Sequence, residues 1–357
     1  MTLQTNTMAM VPTGFDRAGV GDKRWVSRWR RAVGWLGAAL LVMALTACGG
    51  GDDAGAGGGA GGTPSSGSGS NGNTGSGGTG GTGNNGGTGN SGAGNIGTPG
   101  VTKSAKRGVA YDLRSANDLG ALAPGVSWWY NWGAQPNGTA ASDTSTAYNM
   151  DYIPMLWNGN FDGNAIETYL RAHPKIKYLL LLNEPNLGDQ SNLQPRDAAA
   201  LWPRYEAVAQ HTGVKLVGPA ITWGNNGFND PVAWLDAFYA EYRAANGNRD
   251  PQIDYIAFHW YDYGLSGQLD RLVKYGKPFW VTEFANWHVG DGSAAIDTPA
   301  KQMDQMREMV AVCEQRADVF RYAWFTGRWD NDTHFTSLLG ADGQLTDLGK
   351  LYISLPF

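Results

Sequence analysis

Residues 178–186 read Tyr-Leu-Leu-Leu-Leu-Asn-Glu-Pro-Asn, an apolar run that ends abruptly in an amide, a carboxylate and a proline. Consecutive apolar residues without polar alternation are typical of a strand that is buried on both faces of a parallel sheet. Pro185 has no backbone N–H, so the strand is expected to stop at about Asn183 or Glu184. Glu184 is therefore predicted at the carboxyl end of a buried strand, where barrel enzymes place their catalytic groups.

A second segment, Phe279–Phe284, repeats this pattern and carries Glu283 near its end. In a barrel of eight parallel strands, the fourth and seventh lie on opposite sides of the lumen, so Glu184 and Glu283 are expected to face each other. Paired carboxyl groups of this kind are what glycoside hydrolysis requires. We predict Glu184 as acid/base and Glu283 as nucleophile. The structural alternative is that either glutamate caps a helix or pairs with a nearby arginine.

Residues 105–357 alternate short apolar segments with helical stretches, which indicates parallel strands joined by crossovers. The predicted strands are Arg107–Tyr111, Val126–Tyr130, Tyr152–Trp157, Tyr178–Asn183, Lys215–Pro219, Tyr255–Tyr261, Phe279–Phe284 and Val319–Phe325. The clearest predicted helices are Ala165–Ala172, Pro195–Gln210, Pro231–Asn246, Gly267–Tyr275 and Pro299–Ala317. The sequence thus predicts an α/β fold, a single compact (β/α)8 TIM barrel with some helices reduced to loops, mainly after the first two strands.

The chain ahead of the barrel begins with a predicted export signal. Within residues 1–47, a basic stretch precedes the apolar run Ala32–Leu45, which is shorter than the roughly 20 residues of a membrane span. Leu45-Thr46-Ala47-Cys48 resembles a bacterial lipoprotein box, so Cys48 is the predicted lipidation site. An ordinary secretory signal with a chance cysteine is the alternative. We expect a protein that is anchored by lipid to the bacterial cell envelope. Gly49 after Cys48 favours the outer membrane, and the inner membrane is the alternative.

Residues 48–104 are predicted to be a disordered tether. Of the 52 glycines in the chain, 25 lie between Gly49 and Gly100, and the segment has no aromatic residue. Such a composition buries too little apolar area to offset the entropy of ordering the chain.

Charge and cysteine content exclude several classes of function. The net charge is −5, and it becomes −9 without residues 1–47, which disfavours nucleic acids and favours a neutral ligand. Apart from Cys48, the chain has one cysteine, Cys313, on the apolar stripe of a predicted helix, so no disulfide framework is expected. The five histidines form no ligand-spaced pair, so we expect no metal. We also expect a monomer.

Three motifs together carry a family resemblance: Ser-Trp-Trp-Tyr-Asn-Trp at 127–132, Leu-Asn-Glu-Pro-Asn at 182–186 and Phe-His-Trp-Tyr at 258–261. They are similar to those of glycoside hydrolase family 128, compact endo-β-1,3-glucanases of the large clan of retaining barrel glycosidases. The resemblance covers about residues 105–357. It implies double displacement through a covalent glycosyl-enzyme, without metal or cofactor. Retention in turn implies carboxyl groups about 5–5.5 Å apart.

Most tryptophans lie at predicted strand ends, where flat rings suit the C–H faces of sugars. The predicted substrate-binding residues are Asn183, Trp128, Trp129, Tyr130, Trp132, Trp157, His259, Tyr261, Trp287, Trp324 and Trp329. The rings favoured most strongly are Trp129, Trp132, Trp287 and Trp329. Strand alternation places His259 and Tyr261 on one face beside Glu283. Core packing is the alternative for each ring, and it is preferred for Trp202, Trp234 and Trp280.

The sequence therefore favours hydrolysis of β-1,3-glucan, cut within the chain. A related barrel glycosidase acting on another neutral polysaccharide, such as β-1,4-glucan or xylan, is one alternative. A non-catalytic lipoprotein that binds glucan is another, but two opposed acids argue against a pure binding protein.

Overall fold

The computed structural model describes residues 102–137, 143–290 and 292–357. The predicted export signal, Cys48 and nearly all of the tether lie outside these ranges and stay predictions. Within the described part of the chain, no helix combines the length and apolarity that a membrane span requires.

Nine short strands form one sheet in which every pairing is parallel. They are β1 (Arg107–Ala110), β2 (Trp128–Tyr130), β3 (Asp151–Tyr152), β4 (Met155–Leu156), β5 (Tyr178–Leu181), β6 (Lys215–Ile221), β7 (Tyr255–Trp260), β8 (Phe279–Phe284) and β9 (Val319–Trp324). Their order is β3-β2-β1-β9-β8-β7-β6-β5-β4. The last strand thus pairs with the first, as the predicted barrel requires.

The two ends of this order, β3 and β4, are halves of one barrel strand, the predicted strand Tyr152–Trp157. Pro154 lies between them and has no N–H to donate, so the ladder is interrupted there. β3 pairs with β2, and β4 pairs with β5. The Pro154 carbonyl still accepts from the Leu180 N–H at 2.9 Å. The sheet therefore closes through a divided third strand, which confirms the predicted TIM barrel with eight strand positions.

In the described ranges, eight α-helices of unequal length surround the sheet. They are α1 (Ala116–Leu122), α2 (Thr144–Tyr148), α3 (Gly163–Ala172), α4 (Pro195–Thr212), α5 (Pro231–Ala245), α6 (Leu265–Leu272), α7 (Pro299–Gln315) and α8 (Asp347–Ser354). Short 3-10 turns occupy Val273–Tyr275 and Gly292–Ala294. The early crossovers are short, as expected, because α1 and α2 have seven and five residues. The final helix, α8, was not predicted.

Proline and side-chain caps set the starts of the longer helices. Proline stands at the beginning of α4, α5 and α7, where its missing N–H costs nothing. Asp230 caps α5 and Thr298 caps α7 through their side-chain oxygens. The predicted core residues Trp202, Trp234 and Trp280 are all fully buried, which confirms that prediction.

Aromatic side chains fill the amino-terminal half of the barrel lumen. The Trp280 ring lies 5.0 Å from the rings of Trp128 and Tyr178. Phe320 lies 4.7 Å from Tyr255. The Arg321 guanidinium carbon is 5.1 Å from the centre of the Trp280 ring. Packed rings thus close this end of the lumen, and both predicted acids lie at the other end, near the carboxyl ends of the strands.

Arg107 fastens the last residues of the described chain to β1. Its side chain is 1% exposed and donates to the carbonyls of Tyr352, Leu355 and Pro356 at 2.7–3.2 Å. The Tyr322 hydroxyl accepts a further bond at 2.9 Å. The carbonyls in the last turn of α8 and just after it thus accept hydrogen bonds from Arg107 rather than from water.

We expect Arg107→Ala to lower the free energy of unfolding by about 3–5 kcal/mol, because it leaves buried acceptors without donors. Urea unfolding followed by tryptophan fluorescence measures this change. Arg196→Ala is the matched control, since that side chain is 80% exposed and its carboxylate partner is 3.8 Å away. The control should change stability by less than about 0.5 kcal/mol. Equal midpoints for the two variants would contradict this role of Arg107.

Candidate active site

Glu184 follows β5 on a backbone that has left the regular strand. β5 ends at Leu181, two residues earlier than predicted, and Asn183 forms only an isolated bridge to Ala220. Leu182 and Glu184 have φ angles of 54° and 44°, a left-handed region that residues other than glycine seldom adopt. The Glu184 N–H donates to the Ala220 carbonyl at 2.8 Å. This irregular backbone, anchored on β6, places the carboxyl group in the cleft.

Glu283 is aimed into the lumen by a β-bulge in β8. One step along β7, from Phe258 to His259, matches two steps along β8, from Val281 to Glu283. The pairing of β8 with β9 contains the same extra residue. Thr282 is therefore a bulge residue, and it shifts the side-chain alternation that follows it. Bulges next to active sites commonly redirect a side chain in this way.

Three donors hold the Glu283 carboxylate. The Tyr130 hydroxyl and the Trp132 Nε1–H donate to Oε1 at 2.8 and 2.7 Å. The Tyr261 hydroxyl donates to Oε2. Burial, together with the charge of Glu283, raises the pKa of Tyr130 and of Tyr261 well above the usual value. Both phenols therefore stay protonated and remain donors to Glu283.

His259 lies between the two carboxyl groups. Its Nδ1 is 2.9 Å from Oε1 of Glu184 and 3.4 Å from Oε2 of Glu283. Burial lowers the pKa of His259, but the charges of Glu283 and Glu184 outweigh this effect and leave the pKa raised. The Nε2 atom is buried and has no hydrogen-bond partner among the described residues. His259 thus contacts both acids through one nitrogen.

The two carboxyl groups are close and differ in their surroundings. Oxygens of Glu184 and Glu283 lie within 4.8 Å of each other, with side chains almost withdrawn from water. Burial is the strongest influence on the Glu184 carboxyl and raises its pKa; His259 opposes this, and the charges of Glu283 and Asp189 add to it. One acid is thus favoured in its neutral form, while the other has three hydrogen-bond donors.

Asn183 and Trp157 adjoin Glu184. The Asn183 N–H donates to the Trp157 carbonyl at 2.9 Å, and its side-chain Nδ2–H donates to Gln190 at 3.1 Å. Its Oδ1 atom is buried and has no partner in the described part of the chain. The same holds for the indole nitrogen of half-buried Trp157. Both predicted residues therefore have a buried polar atom without a hydrogen-bond partner in the described residues, and a backbone bond joins them next to Glu184 in the chain.

A group of aromatic side chains forms the rim of the cleft on the side of Glu283. Trp287 and Trp329 are half-buried, with ring centres 5.7 Å apart. Phe325 lies 5.6 Å from Trp287 and 5.9 Å from both Trp132 and Trp329. Phe325 was not predicted as a site residue, although it contacts the rings on several sides.

Five predicted sugar contacts are corrected by the structure. Tyr130 and His259, which contact the candidate acids, are completely buried. Trp128, Trp129 and Trp324 are all completely buried. Trp128 belongs to the aromatic filling below the site. Trp129 packs between sheet and helices, where its Nε1–H donates to Thr144. Trp324 donates to the Thr336 carbonyl in the same outer layer. None of the five has a face that a sugar could reach.

Asn186 is a site residue that the sequence motif contained but whose role was missed. It is fully buried, and its Nδ2–H donates to the Thr222 carbonyl at 2.5 Å. Its own carbonyl accepts from the Asn225 N–H at 2.9 Å. Asn186 thus ties the loop that follows Glu184 to the loop after β6. The Leu-Asn-Glu-Pro-Asn motif was the available signal.

Glu184, His259 and Glu283 are also near enough to one another to offer ligand atoms to a metal ion. The Nδ1 atom of His259 and both oxygens of Glu283 already take part in hydrogen bonds. This arrangement suits proton transfer and nucleophilic attack, and the expected absence of a metal stays a prediction.

A closed parallel barrel with a pair of buried carboxyl groups at the carboxyl ends of its strands is typical of a glycoside hydrolase. Residues 108–352 match the family described as the glycosyl hydrolase catalytic core. The chain belongs to this family and, within it, to glycoside hydrolase family 128, and it is a glycosidase.

Two solved structures show how close the relation is. An endo-β-1,3-glucanase of subgroup II from Pseudomonas viridiflava is 61% identical, with a TM-score of 0.70, over 72% of this chain and 100% of that one. One from Sorangium cellulosum is 36% identical, with a TM-score of 0.60, over 70% and 98%. The chain is also 26% identical over 270 residues to alkali-sensitive linkage protein 1 of Schizosaccharomyces pombe. That match covers 70% of this chain but only 45% of that protein.

We expect His259→Gln to move the basic limb of the kcat/KM pH profile to higher pH. A protonated Glu184 is needed in the first step, so activity falls as pH rises through the Glu184 pKa. His259 lowers that pKa, and glutamine keeps a donor but removes the positive charge. His211→Gln, on the exposed face of α4 beside Glu167, is the matched control and should leave the profile unchanged. A basic limb that stays in place or moves to lower pH would contradict this role.

Proposed function

We propose that the barrel hydrolyses β-1,3-glucan by double displacement, with Glu184 as acid/base and Glu283 as nucleophile. The observation that carries the proposal is the pair of carboxyl oxygens within 4.8 Å in one buried cleft. This spacing matches the roughly 5–5.5 Å of retaining enzymes and is too small for the roughly 6.5–9.5 Å gap that holds a water in inverting enzymes.

In the first step, Glu184 donates its proton to the glycosidic oxygen, while Glu283 attacks the anomeric carbon. The bond to the leaving sugar breaks as the bond to the Glu283 oxygen forms. In the second step, Glu184, now ionised, takes a proton from water, which displaces Glu283 from the same carbon. Two inversions give a product that keeps the β configuration.

The surroundings of the two acids support these roles. Burial favours the neutral form of Glu184, which a proton donor needs. Glu283 accepts from Tyr130, Trp132 and Tyr261, an arrangement that suits an ionised and oriented carboxylate. As the covalent bond forms and charge leaves Glu283, His259 between the two acids can stabilise the charge that develops on Glu184.

The relatives and the aromatic rim support the choice of substrate. Both solved relatives at 61% and 36% identity are described as endo-β-1,3-glucanases. Half-buried Trp132 donates to Glu283 and, like half-buried Trp329, contacts Phe325, while Trp223 beyond β6 is 43% exposed. Rings of this kind suit a neutral glucan, and the acidic chain has little attraction for anionic polymers. We propose internal cleavage because both of these relatives are described as endo-acting.

We expect wild type to release reducing ends from laminarin, and Glu283→Ala to lower kcat on the order of 10⁴-fold, because no group remains to form the glycosyl-enzyme. Azide should partly restore turnover of an activated β-glucoside and give the α-glycosyl azide. Glu184→Ala is the matched control, because azide should there give the β-glycosyl azide. Exchange of the two anomers would reverse the assigned roles.

Other outcomes separate the competing functions. A wild-type protein that binds β-glucans but hydrolyses none of them would support the non-catalytic alternative. Hydrolysis of β-1,4-glucan or xylan in place of laminarin would replace the proposed substrate. The lengths of the fragments from a reduced laminari-oligosaccharide distinguish internal cleavage from release of terminal units.

We also propose that Cys48 carries lipid and anchors the exported protein to the cell envelope, at the outer membrane. The support is its position directly after an apolar run and before a glycine-rich segment. In a Gram-negative host, the full chain should label with a radioactive fatty acid and sediment with outer membranes. Cys48→Ser should lose both properties. Equal labelling and sedimentation of the two proteins would contradict lipidation at Cys48.

A further inference from the structure

Trp287 lies in a column of three stacked rings that ends at the candidate nucleophile. The Tyr261 ring lies 3.9 Å from Trp287 with an angle of 26° between the planes. The His334 ring lies 4.9 Å from Trp287 at 24°. At the far end of Tyr261, the hydroxyl donates to Oε2 of Glu283.

Tyr261 and His334 cover opposite faces of Trp287. If both rings lay on the same face of the indole at these distances, they would be close enough to contact each other. The described ring contacts of Tyr261 are with Trp287 and Phe325, and those of His334 are with Trp287 and Trp329. Each face of the Trp287 ring is therefore occupied by a protein side chain.

The column is fixed to the scaffold at several points. The backbone N–H of Trp287 donates to the backbone carbonyl of Tyr261 at 2.8 Å. On α7, the fully buried Gln302 donates through Nε2 to the carbonyls of Asn286 and His334, both at 2.7 Å. The buried Gln302 amide thus binds Asn286, which precedes Trp287, and His334, which stacks on the Trp287 ring.

We propose that Trp287 is a positioning residue, which holds the Tyr261 ring so that its hydroxyl stays on Glu283. This inference rests on the proposed function of Glu283. It replaces the sugar contact that the sequence predicted for Trp287, because stacking on a pyranose requires an open ring face. His334 packs on the face of Trp287 that is turned away from Tyr261. Gln302 holds His334 and the backbone next to Trp287 through its two hydrogen bonds.

A positioning role and a sugar-binding role change different kinetic constants. Tyr261 acts on Glu283 while the glycosyl-enzyme bond forms, so loss of its orientation lowers kcat. A stacking platform binds the ground state and the transition state alike, so its loss raises KM with kcat retained.

The test is a double-mutant cycle between Trp287→Leu and Tyr261→Phe in the full chain. We expect Trp287→Leu to lower kcat about tenfold with KM within about twofold of wild type. In the Tyr261→Phe background, the same substitution should change kcat by less than about twofold, because the hydroxyl it positions is gone. Trp287→Phe keeps a ring between Tyr261 and His334 and should recover most of the kcat.

A raised KM with unchanged kcat would overturn the proposal in favour of a sugar platform. Independent, multiplicative effects of the two substitutions would also overturn it. If Trp287→Leu does not fold, His334→Leu removes the outer support and should show a smaller kcat loss that again disappears in Tyr261→Phe; an unchanged kcat would count against the column. The cycle compares variants on whichever glycoside wild type cleaves, so inactivity on laminarin refutes the proposed substrate and leaves this test intact.

Discussion

The proximity of two carboxyl groups in one buried cleft governs the chemistry of this barrel. Two like charges within 4.8 Å repel each other by on the order of 3 kcal/mol at an effective dielectric constant of about 20. Joint ionisation of Glu184 and Glu283 is therefore costly, and the surroundings select which acid keeps the proton. Three donors bind the Glu283 carboxyl group, while burial favours the neutral form of Glu184 and raises its pKa. The proposed division of roles between acid and nucleophile rests on this unequal environment.

The fold produces that cleft through two departures from a regular barrel. The aromatic rings around Trp280 fill the lower lumen, so the polar side chains of the lumen lie near the rim. The bulge at Thr282 then brings Glu283 into the same lumen, although Trp280 and Glu283 are three residues apart on β8. On the other side, the left-handed backbone at Leu182 and Glu184 performs the corresponding task. Both acids are thus placed where regular strand geometry has been abandoned.

The strands that carry the acids were predictable because long apolar runs and a terminating proline are local signals, as at Leu179–Leu182 and Pro185. Strict alternation could not find the bulge at Thr282, since it depends on the register with neighbouring strands. Nor could it separate tryptophans of the cleft from those of the core. Trp129 and Trp132 are close in sequence, yet one packs under α2 and the other donates to Glu283. The direction of each ring is set by tertiary packing, which the sequence pattern around a single residue does not predict.

The anomeric configuration of the first product tests the central claim most directly, because it depends on whether the anomeric carbon is attacked first by Glu283 and then by water. Proton NMR during the first minutes of laminari-oligosaccharide hydrolysis resolves the two anomers before mutarotation mixes them. The arrangement of Glu184 and Glu283 predicts that the β anomer appears first and the α anomer only later, by mutarotation. An α anomer released first would contradict the double displacement and, with it, the role of Glu283 as nucleophile.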